Sequence, residues 1–422
     1  NLILKKIMKI GFVGLGKLGL PVALAVESKG HDVVGFDISE SVRNIIEAKK
    51  IPYKEIWAQD YLDKSNIKFE SLKNVVEHSE IIFVPIQTPH DPLYEGITRI
   101  PDKRVDFDYS YLKSGMKKLS EEIENQGKDK VVIIISTVLP GTIRQEIKPL
   151  LGKHTKICYN PFFIAMGTTM KDFLYPEFIL FGVDNLDAAD KAEKFYRSIN
   201  NATFFKTTIE NAELIKVSYN TFISTKIAFI NTIMEMCHKL PNTNIDDITN
   251  ALMLGNKRLI SGAYLRGGMG DGGGCHPRDN IALSWLARKL NISNDFFDQI
   301  MKQREKQTDW LVSLIKENQI KNKKTYILGK SFKPETNIQT GSPSILLENL
   351  LKESGINAIM YDPHVDSTKP VFEKGVYFIG TQHEVFERFS FPKGSIIIDP
   401  FRMINKDLND VKVIRIGDNH EY

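Results

Sequence analysis

Cysteine is scarce: Cys158, Cys237 and Cys275 are the only three in 422 residues. They lie far apart and form no CxxC or comparable ligand spacing, so neither a disulfide framework nor a metal site is expected, and a reducing compartment, the cytoplasm, suits this usage. Long apolar runs are also missing. No stretch reaches the roughly 20 residues of a membrane span, and Asn1 to Ile7 is too short, and too charged at Lys5 and Lys6, for a signal peptide. Met8 is a candidate natural start, with the residues before it appended. Neither sign of charge dominates: Lys+Arg 56 against Asp+Glu 52 gives +4, so neither nucleic acid nor a membrane surface is expected as a partner. Low-complexity tracts and short repeats are absent. What remains is an ordinary globular composition, 42% hydrophobic, long enough for two or three domains.

The chain opens on an ordered series of signals. Met8-Lys9-Ile10-Gly11-Phe12-Val13 reads as a strand running into Gly14-Leu15-Gly16-Lys17-Leu18-Gly19, and a helical pattern follows from Pro21 to Ser28. Asp32-Val33-Val34-Gly35-Phe36-Asp37 is then a second strand ending in an acid. An acid roughly 20 residues beyond such glycines is the spacing of a dinucleotide site. Gly14 makes the tight turn, Gly16 admits a pyrophosphate and Gly19 lets helix and strand pack, while the helix N-terminus offers N–H groups to the phosphates. Asp37 accepts from both ribose hydroxyls and would repel a 2′-phosphate, so the expected cofactor is NAD rather than NADP.

Apolar runs Ile81 to Ile86 and Val131 to Ser136 flank a helical pattern from Tyr109 to Glu124, the alternation of crossover helices over a parallel sheet. Thr88 and Thr137 sit at strand ends that would line the ligand crevice, although a Thr there is as often a simple turn residue. From Ala212 through His238 a long helical stretch without Pro or Gly reads as a connector. Further helices are expected over Ile281 to Leu290 and Phe296 to Glu317. A second α/β pattern then begins at Lys324, with strands at Ala358 to Asp362 and Ser395 to Asp399 and a helix over Ser344 to Glu353. The expected fold class is α/β, with two Rossmann-like doubly wound domains joined by a central helical region. The boundaries are 8–205 for the N-terminal dinucleotide-binding domain, 206–315 for a central helical domain carrying the Cys275 loop, and 316–422 for the C-terminal Rossmann-like domain.

Between the two α/β patterns lies Gly267-Gly268-Met269-Gly270-Asp271-Gly272-Gly273-Gly274-Cys275-His276-Pro277-Arg278-Asp279. Glycines let a backbone approach a ligand closely, and a thiolate beside His and Arg is the attacking form of cysteine. Cys275 is therefore a candidate nucleophile, against the plainer reading of a glycine-rich turn with an incidental Cys. Lys216 and Asn220, one helical turn apart, can donate to a developing oxyanion; alone, they are equally a solvated Lys and an incidental Asn. Asp279 lies one turn past Cys275 if a helix starts at Pro277, where it would also complement the helix dipole.

Several blocks together resemble the UDP-glucose/GDP-mannose dehydrogenase family along nearly the whole chain: GLGKLGLPVA, STVLPGT, NPFFIAMGTTMKDF, the Lys216/Asn220 pair, GGGCHPRDN, GKSFKPETN and Tyr361-Asp362-Pro363. The resemblance implies an NAD-dependent oxidoreductase acting on CH–OH. Members oxidise the C6 alcohol of a nucleotide sugar, a UDP- or GDP-hexose, to a carboxylate with two NAD and an enzyme thiol. Carried over, it makes Cys275, Lys216, Asn220, Asp279 and Thr137 catalytic, and Gly14, Gly16, Gly19, Asp37, Thr88 and Thr137 cofactor-binding. Phe163, Lys216, Arg258, Gly272 and Lys333 would contact substrate, Arg258 across a subunit interface. UDP-glucose is the leading substrate, a homodimer through the central helix the expected assembly, and uronic acid donors for surface polysaccharide the expected product.

The sequence departs from the family at four places. Phe162 stands where the family carries the Glu that activates the hydrolytic water, Met166 where a second acid is expected, Thr340 where an arginine follows the FKP loop, and His276 where an apolar residue follows the cysteine. His276, Glu177 and Asp172 are the candidate replacement bases. Release of the aldehyde, or a nucleotide-sugar-binding protein without catalysis, are the alternatives. A β-hydroxyacid dehydrogenase shares the N-terminal half of the pattern but needs neither the thiol nor a second Rossmann-like domain.

Overall fold

The computed structural model describes residues 7–418 apart from His90, Arg258, Ile260, Gly262 and Leu265. The chain divides into two compact units, Asn1–Pro89 with Phe107–Ser218, and His90–Asp106 with Tyr219–Tyr422.

In the first unit β1 (Lys9–Val13), α1 (Gly19–Ser28) and β2 (Asp32–Phe36) lead through α2 (Glu40–Glu47) and α3 (Ala58–Lys64) to the short β3 (Lys68–Phe69). There follow α4 (Leu72–His78), β4 (Ile81–Val84), α5 (Ser110–Gln126), β5 (Lys130–Ile134), β6 (Thr155–Tyr159), α6 (Thr169–Leu174), β7 (Phe178–Val183), α7 (Leu186–Arg197) and β8 (Thr203–Thr207). The sheet order is β3-β2-β1-β4-β5-β6-β7-β8. Its pairs are parallel except β6 with β7. Along β4, Ile81 and Phe83 join one apolar cluster while Ile82 and Val84 join another. Successive side chains of a strand face opposite ways, so both faces of the sheet are covered, which is why β4 and β5 read as unbroken apolar runs. The strand order reverses at β1 and β4, and beyond their C-terminal ends lies the crevice such sheets use for ligands.

Helix α8 (Ile209–Lys239) begins in the first unit and continues into the second, 31 residues and about 46 Å long. The second unit adds α9 (Ile245–Leu254), α10 (Cys275–Lys289) and α11 (Phe296–Glu317), and then β9 (Lys324–Leu328), α12 (Pro343–Glu353), β10 (Ala358–Tyr361), β11 (Gly375–Ile379), β12 (Ile396–Asp399) and β13 (Lys412–Arg415). Its sheet, β10-β9-β11-β12-β13, is parallel throughout. The expected class, two doubly wound sheets with a helical region and a long helix, is what the chain adopts. Helix α10 starts at Cys275 rather than Pro277. A proline in the first turn sacrifices no intrahelical bond, because those N–H groups have no partner within the helix. The segment between β4 and α5 packs with the second unit, where Arg99 pairs with Asp309 and Glu353 and Asn349 donates to the Ile97 carbonyl at 2.6 Å. Among the described residues no helix is long and apolar enough to cross a membrane.

Candidate functional site

In the first unit, β1 ends in Gly14 with φ +113°, a backbone conformation that disfavours any side chain. Its N–H donates to Phe36 O at 2.8 Å, tying the turn to β2. A Cβ built on Gly16 would meet nothing within 4 Å, whereas one on Gly19 would stand 2.2 Å from Gly14 O. Gly19 therefore serves close seating of α1 on the turn, and Gly16 leaves open space beside it. No side chain caps α1 at Leu18; Leu20 N donates to Gly16 O at 3.0 Å and Val22 N to Leu18 O at 3.3 Å, closing the turn at the start of the helix. Asp37 Oδ2 accepts from Leu15 N and Oδ1 from Ser39 N, both at 2.8 Å. Each oxygen keeps a second lone pair for a ribose hydroxyl. These residues fit NAD. Beside them the buried Thr88 hydroxyl donates to Thr137 O at 2.7 Å, joining the ends of β4 and β5.

Lys216 is buried on α8, where its ammonium donates to Phe162 O at 2.7 Å and lies 5.2 Å from the Phe163 ring centre. Phe163 and Lys216 are thus brought together. The Phe162 ring packs 5.5 Å from that of Phe173, against the core. Asp172 Oδ2 accepts from Ala165 N at 2.9 Å and the Thr168 hydroxyl at 2.8 Å, a turn-fastening role, and Glu177 is exposed. Glu213, which the sequence reading passed over, is buried one turn before Lys216 and accepts from Gly141 N at 2.6 Å and Ile143 N at 2.8 Å. Burial pushes its carboxyl up to about 7, against the pull of those two amides. It anchors the loop that follows Thr137.

In the second unit Cys275 is an exposed thiol at the first position of α10. That end of a helix carries partial positive charge. One turn on, Asp279 is fully buried and its Oδ2 accepts from Asn220 Nδ2 at 2.7 Å, so these two candidates meet. His276 lies edge-on to Tyr264 with ring centres 6.4 Å apart. The glycines before Cys275 are filled by protein. A Cβ at Gly267 would meet Met234 Sδ at 3.1 Å, at Gly268 Phe401 Cε1 at 2.9 Å, and at Gly270 Arg304 Cγ at 3.1 Å. At Gly272 it would meet Phe332 O at 2.7 Å, at Gly273 Phe332 Cε2 at 3.0 Å, and at Gly274 Thr340 Cγ2 at 3.2 Å. Close packing by the chain itself is thus one use of these glycines. Gly272 so touches the loop of Lys333, whose ammonium sits 5.6 Å from the Phe332 ring centre.

Buried polar side chains hold this loop from behind. Ser224 donates to Asp271 Oδ2 at 2.8 Å, Arg304 Nε lies 2.8 Å from Asp271 Oδ1, and Gly268 N donates to Asn231 Oδ1 at 3.0 Å. Gln307 Nε2 donates to Gly268 O at 3.1 Å and Arg402 Nη2 to Gly267 O at 2.9 Å. None of these was singled out from sequence. A signal existed for two: Ser224 and Asn231 continue the stripe of Lys216 and Asn220 at helical spacing. Arg258 lies outside the described residues.

Comparison with known proteins bears on both halves of this description. The profile of the UDP-glucose/GDP-mannose dehydrogenase family, NAD binding domain, matches residues 8–200, and that of the family's central domain residues 210–305. The UDP-glucose 6-dehydrogenase of Rickettsia conorii is 29% identical over 84% of this chain and 81% of its own. The Bacillus subtilis protein YtcA is 30% identical over 95% of this chain and 97% of its own. Among solved structures, a UDP-glucose dehydrogenase from Pyrobaculum islandicum superposes with a TM-score of 0.85 at 21% identity, covering 99% of both chains, a likeness of fold.

Proposed function

The chain belongs to the UDP-glucose/GDP-mannose dehydrogenase family of NAD-dependent enzymes acting on a CH–OH group of a nucleotide sugar, and from that premise we propose that it oxidises the C6 alcohol of UDP-glucose to the uronate, with Cys275 as the nucleophile. NAD, when bound, supplies the hydride acceptor for both oxidations. The Cys275 thiolate adds to the carbon of the aldehyde left by the first, forming a C–S bond and a thiohemiacetal. Loss of a hydride and the hydroxyl proton turns that adduct into a thioester. Water then attacks the carbonyl, the C–S bond breaks, and uronate leaves as the thiolate returns.

The observation that carries this reading is the thiol itself, exposed at the N-terminus of α10 on a loop fixed by buried side chains. Asn220 keeps one amide hydrogen after its bond to Asp279, and the Lys216 ammonium has three donors, so both can serve an oxyanion. Asp279 orients Asn220 and, one turn from the thiol on the same helix, is assigned the proton-accepting role through water. Lys333, Gly272, Phe163 and Arg258 are assigned to the nucleotide sugar. A homodimer through α8 completes the proposal: Phe222, Phe229 and Met236, at seven-residue spacing, are 50%, 54% and 51% exposed, an apolar stripe that a partner helix would cover.

The test is a count of NADH per sugar with UDP-glucose, UDP-N-acetylhexosamines and GDP-mannose. Two NADH per UDP-glucose is the expected result. One would mean release of the aldehyde, a second reading favoured by the core position of the Phe162 ring in place of the family acid. Cys275→Ser should abolish the second oxidation and leave NAD affinity intact; uronate formed at the normal rate by that variant would remove the nucleophile.

A further inference from the structure

A second constellation of reactive side chains lies at the C-terminal edge of the smaller sheet. Three loops leave neighbouring strands there: one after β9 carries Glu335, one after β10 carries Asp362 and His364, and one after β11 carries His383. His364 Nε2 is 3.1 Å from Glu335 Oε2, His383 Nδ1 is 3.6 Å from Glu335 Oε1, and one ligand atom of each residue lies within 4.8 Å of the others. The ligands of a tetrahedral ion bound at about 2.0–2.1 Å stand about 3.3 Å from one another, so small side-chain movements would suffice. Nothing in the sequence hints at this grouping, because 29 residues separate Glu335 from His364 and 48 separate it from His383.

The surroundings prepare the imidazole of His383 as a ligand. Its Nε2 lies 3.0 Å from Asp362 Oδ2, and both residues are fully buried. Asp362 is held in turn by the amides of Lys330 and Ser331, which donate to Oδ2 at 2.7 and 2.9 Å, and by that of His364, which donates to Oδ1 at 2.8 Å. The Glu335 N–H can only donate, so Nδ1 accepts from it at 3.0 Å and the ring proton sits on Nε2, facing Asp362. The lone pair of Nδ1 is therefore directed into the cluster. A carboxylate behind an imidazole is the arrangement that fixes the tautomer and raises the basicity of metal-binding histidines. Glu335 holds a left-handed backbone, φ +55°, unusual for a residue with a side chain. It is exposed and His364 is partly exposed, so an ion could enter from solvent.

We propose that Glu335, His364 and His383 form a binding site for one divalent transition-metal ion of the zinc class, with Asp362 orienting His383. Two imidazoles and one carboxylate select zinc, cobalt, nickel or copper over magnesium and calcium, which prefer all-oxygen shells. The ion takes the Nδ1 lone pair in exchange for its bond to the Glu335 amide and leaves a coordination position for water. Its role is structural, because it fastens together three loops, one of which bears the Phe332 that packs against Gly272 and Gly273. This assignment is independent of the reaction carried out elsewhere in the chain.

Titration of the chelator-stripped, full-length protein with Zn²⁺ by calorimetry, and with Co²⁺ by visible absorption, tests it. One ion per chain is expected, with a micromolar or tighter Kd, cobalt bands of an imidazole-bound ion and a raised melting temperature, while Mg²⁺ does nothing. His364→Ala and Glu335→Gln, both at accessible positions, should each weaken binding at least tenfold and leave the metal-free melting temperature unchanged. His383→Ala deprives buried Asp362 of its partner and so tests folding as much as ligation. The proposal fails if no ion binds stoichiometrically, or if both accessible variants bind as the parent does.

Discussion

Two glycine-rich loops, Gly14 to Gly19 in the first unit and Gly267 to Gly274 in the second, look alike in sequence and are built for opposite ends. At Gly16 a Cβ would meet nothing within 4 Å, whereas at each glycine of the second loop it would meet a protein atom at 3.2 Å or less. The first loop keeps a space open at Gly16. The second spends its missing side chains on contact with Phe332, Phe401, Met234 and Arg304, and so presents a rigid platform for Cys275. A glycine cluster is thus evidence of close approach, but only the packing tells what approaches.

The largest effect is expected from breaking the platform's support. Arg304 and Asp271 face each other at 2.8 Å with side chains only 3% and 4% exposed. Removing one partner of such a pair leaves an uncompensated buried charge, a loss of about 3–5 kcal/mol. Arg304→Met should accordingly lower the denaturant midpoint sharply, and a double variant with Asp271→Asn should recover part of the loss. Full additivity of the two changes would show that the pair is not the support.

The first unit supports its loops differently, with Glu213 holding two amides beyond Thr137. Its carboxyl is raised to about 7 from an ordinary 4.5, so between those values the folded chain binds more protons than the unfolded one. Stability contributed by the protonated form is full below pH 4.5 and is lost as pH rises through about 7, a drop of at most about 3 kcal/mol. Melting temperature measured from pH 5 to 8 should fall for the parent and run flatter for Glu213→Gln. Parallel curves would remove Glu213 as the titrating group. Asp362 in the second unit has the opposite sign: its depressed carboxyl contributes stability present above the ordinary carboxylate range and lost only in strong acid.

These supports explain where the sequence was legible. Strands covered on both faces, such as β4, β5, β9 and β12, announce themselves as apolar runs. The edge strand β8, Thr203-Phe204-Phe205-Lys206-Thr207, is exposed at three of its positions and carries no such signal. The residues of the candidate site were readable because their chemistry is tied to fixed local spacing, as with Gly14, Gly16, Gly19 and Asp37, or Cys275 and Asp279. Arg304, Asp271, Glu213 and His383 were not, since a buried charge looks like a surface charge until its partner, far away in sequence, is known. The start of α10 was misplaced by two residues because a proline reads as a boundary even where it is tolerated.

The comparison of the two loops is sharpened most directly by giving each the same methyl group. Gly272→Ala places a Cβ 2.7 Å from a backbone carbonyl, which cannot swing aside as a flexible side chain could, and overpacking of this kind costs about 1–3 kcal/mol. Gly16→Ala meets no protein atom, so its stability should change by less than about 0.5 kcal/mol. Its methyl group would instead stand where the pyrophosphate approaches, and the expected change is a raised KM for NAD at an unaltered melting temperature. Gly272→Ala should show the reverse, a lowered melting temperature with NAD affinity preserved. If Gly16→Ala were the less stable of the two, or if Gly272→Ala weakened NAD binding as much, the division between a loop kept open for a ligand and a loop filled by its own chain would not hold.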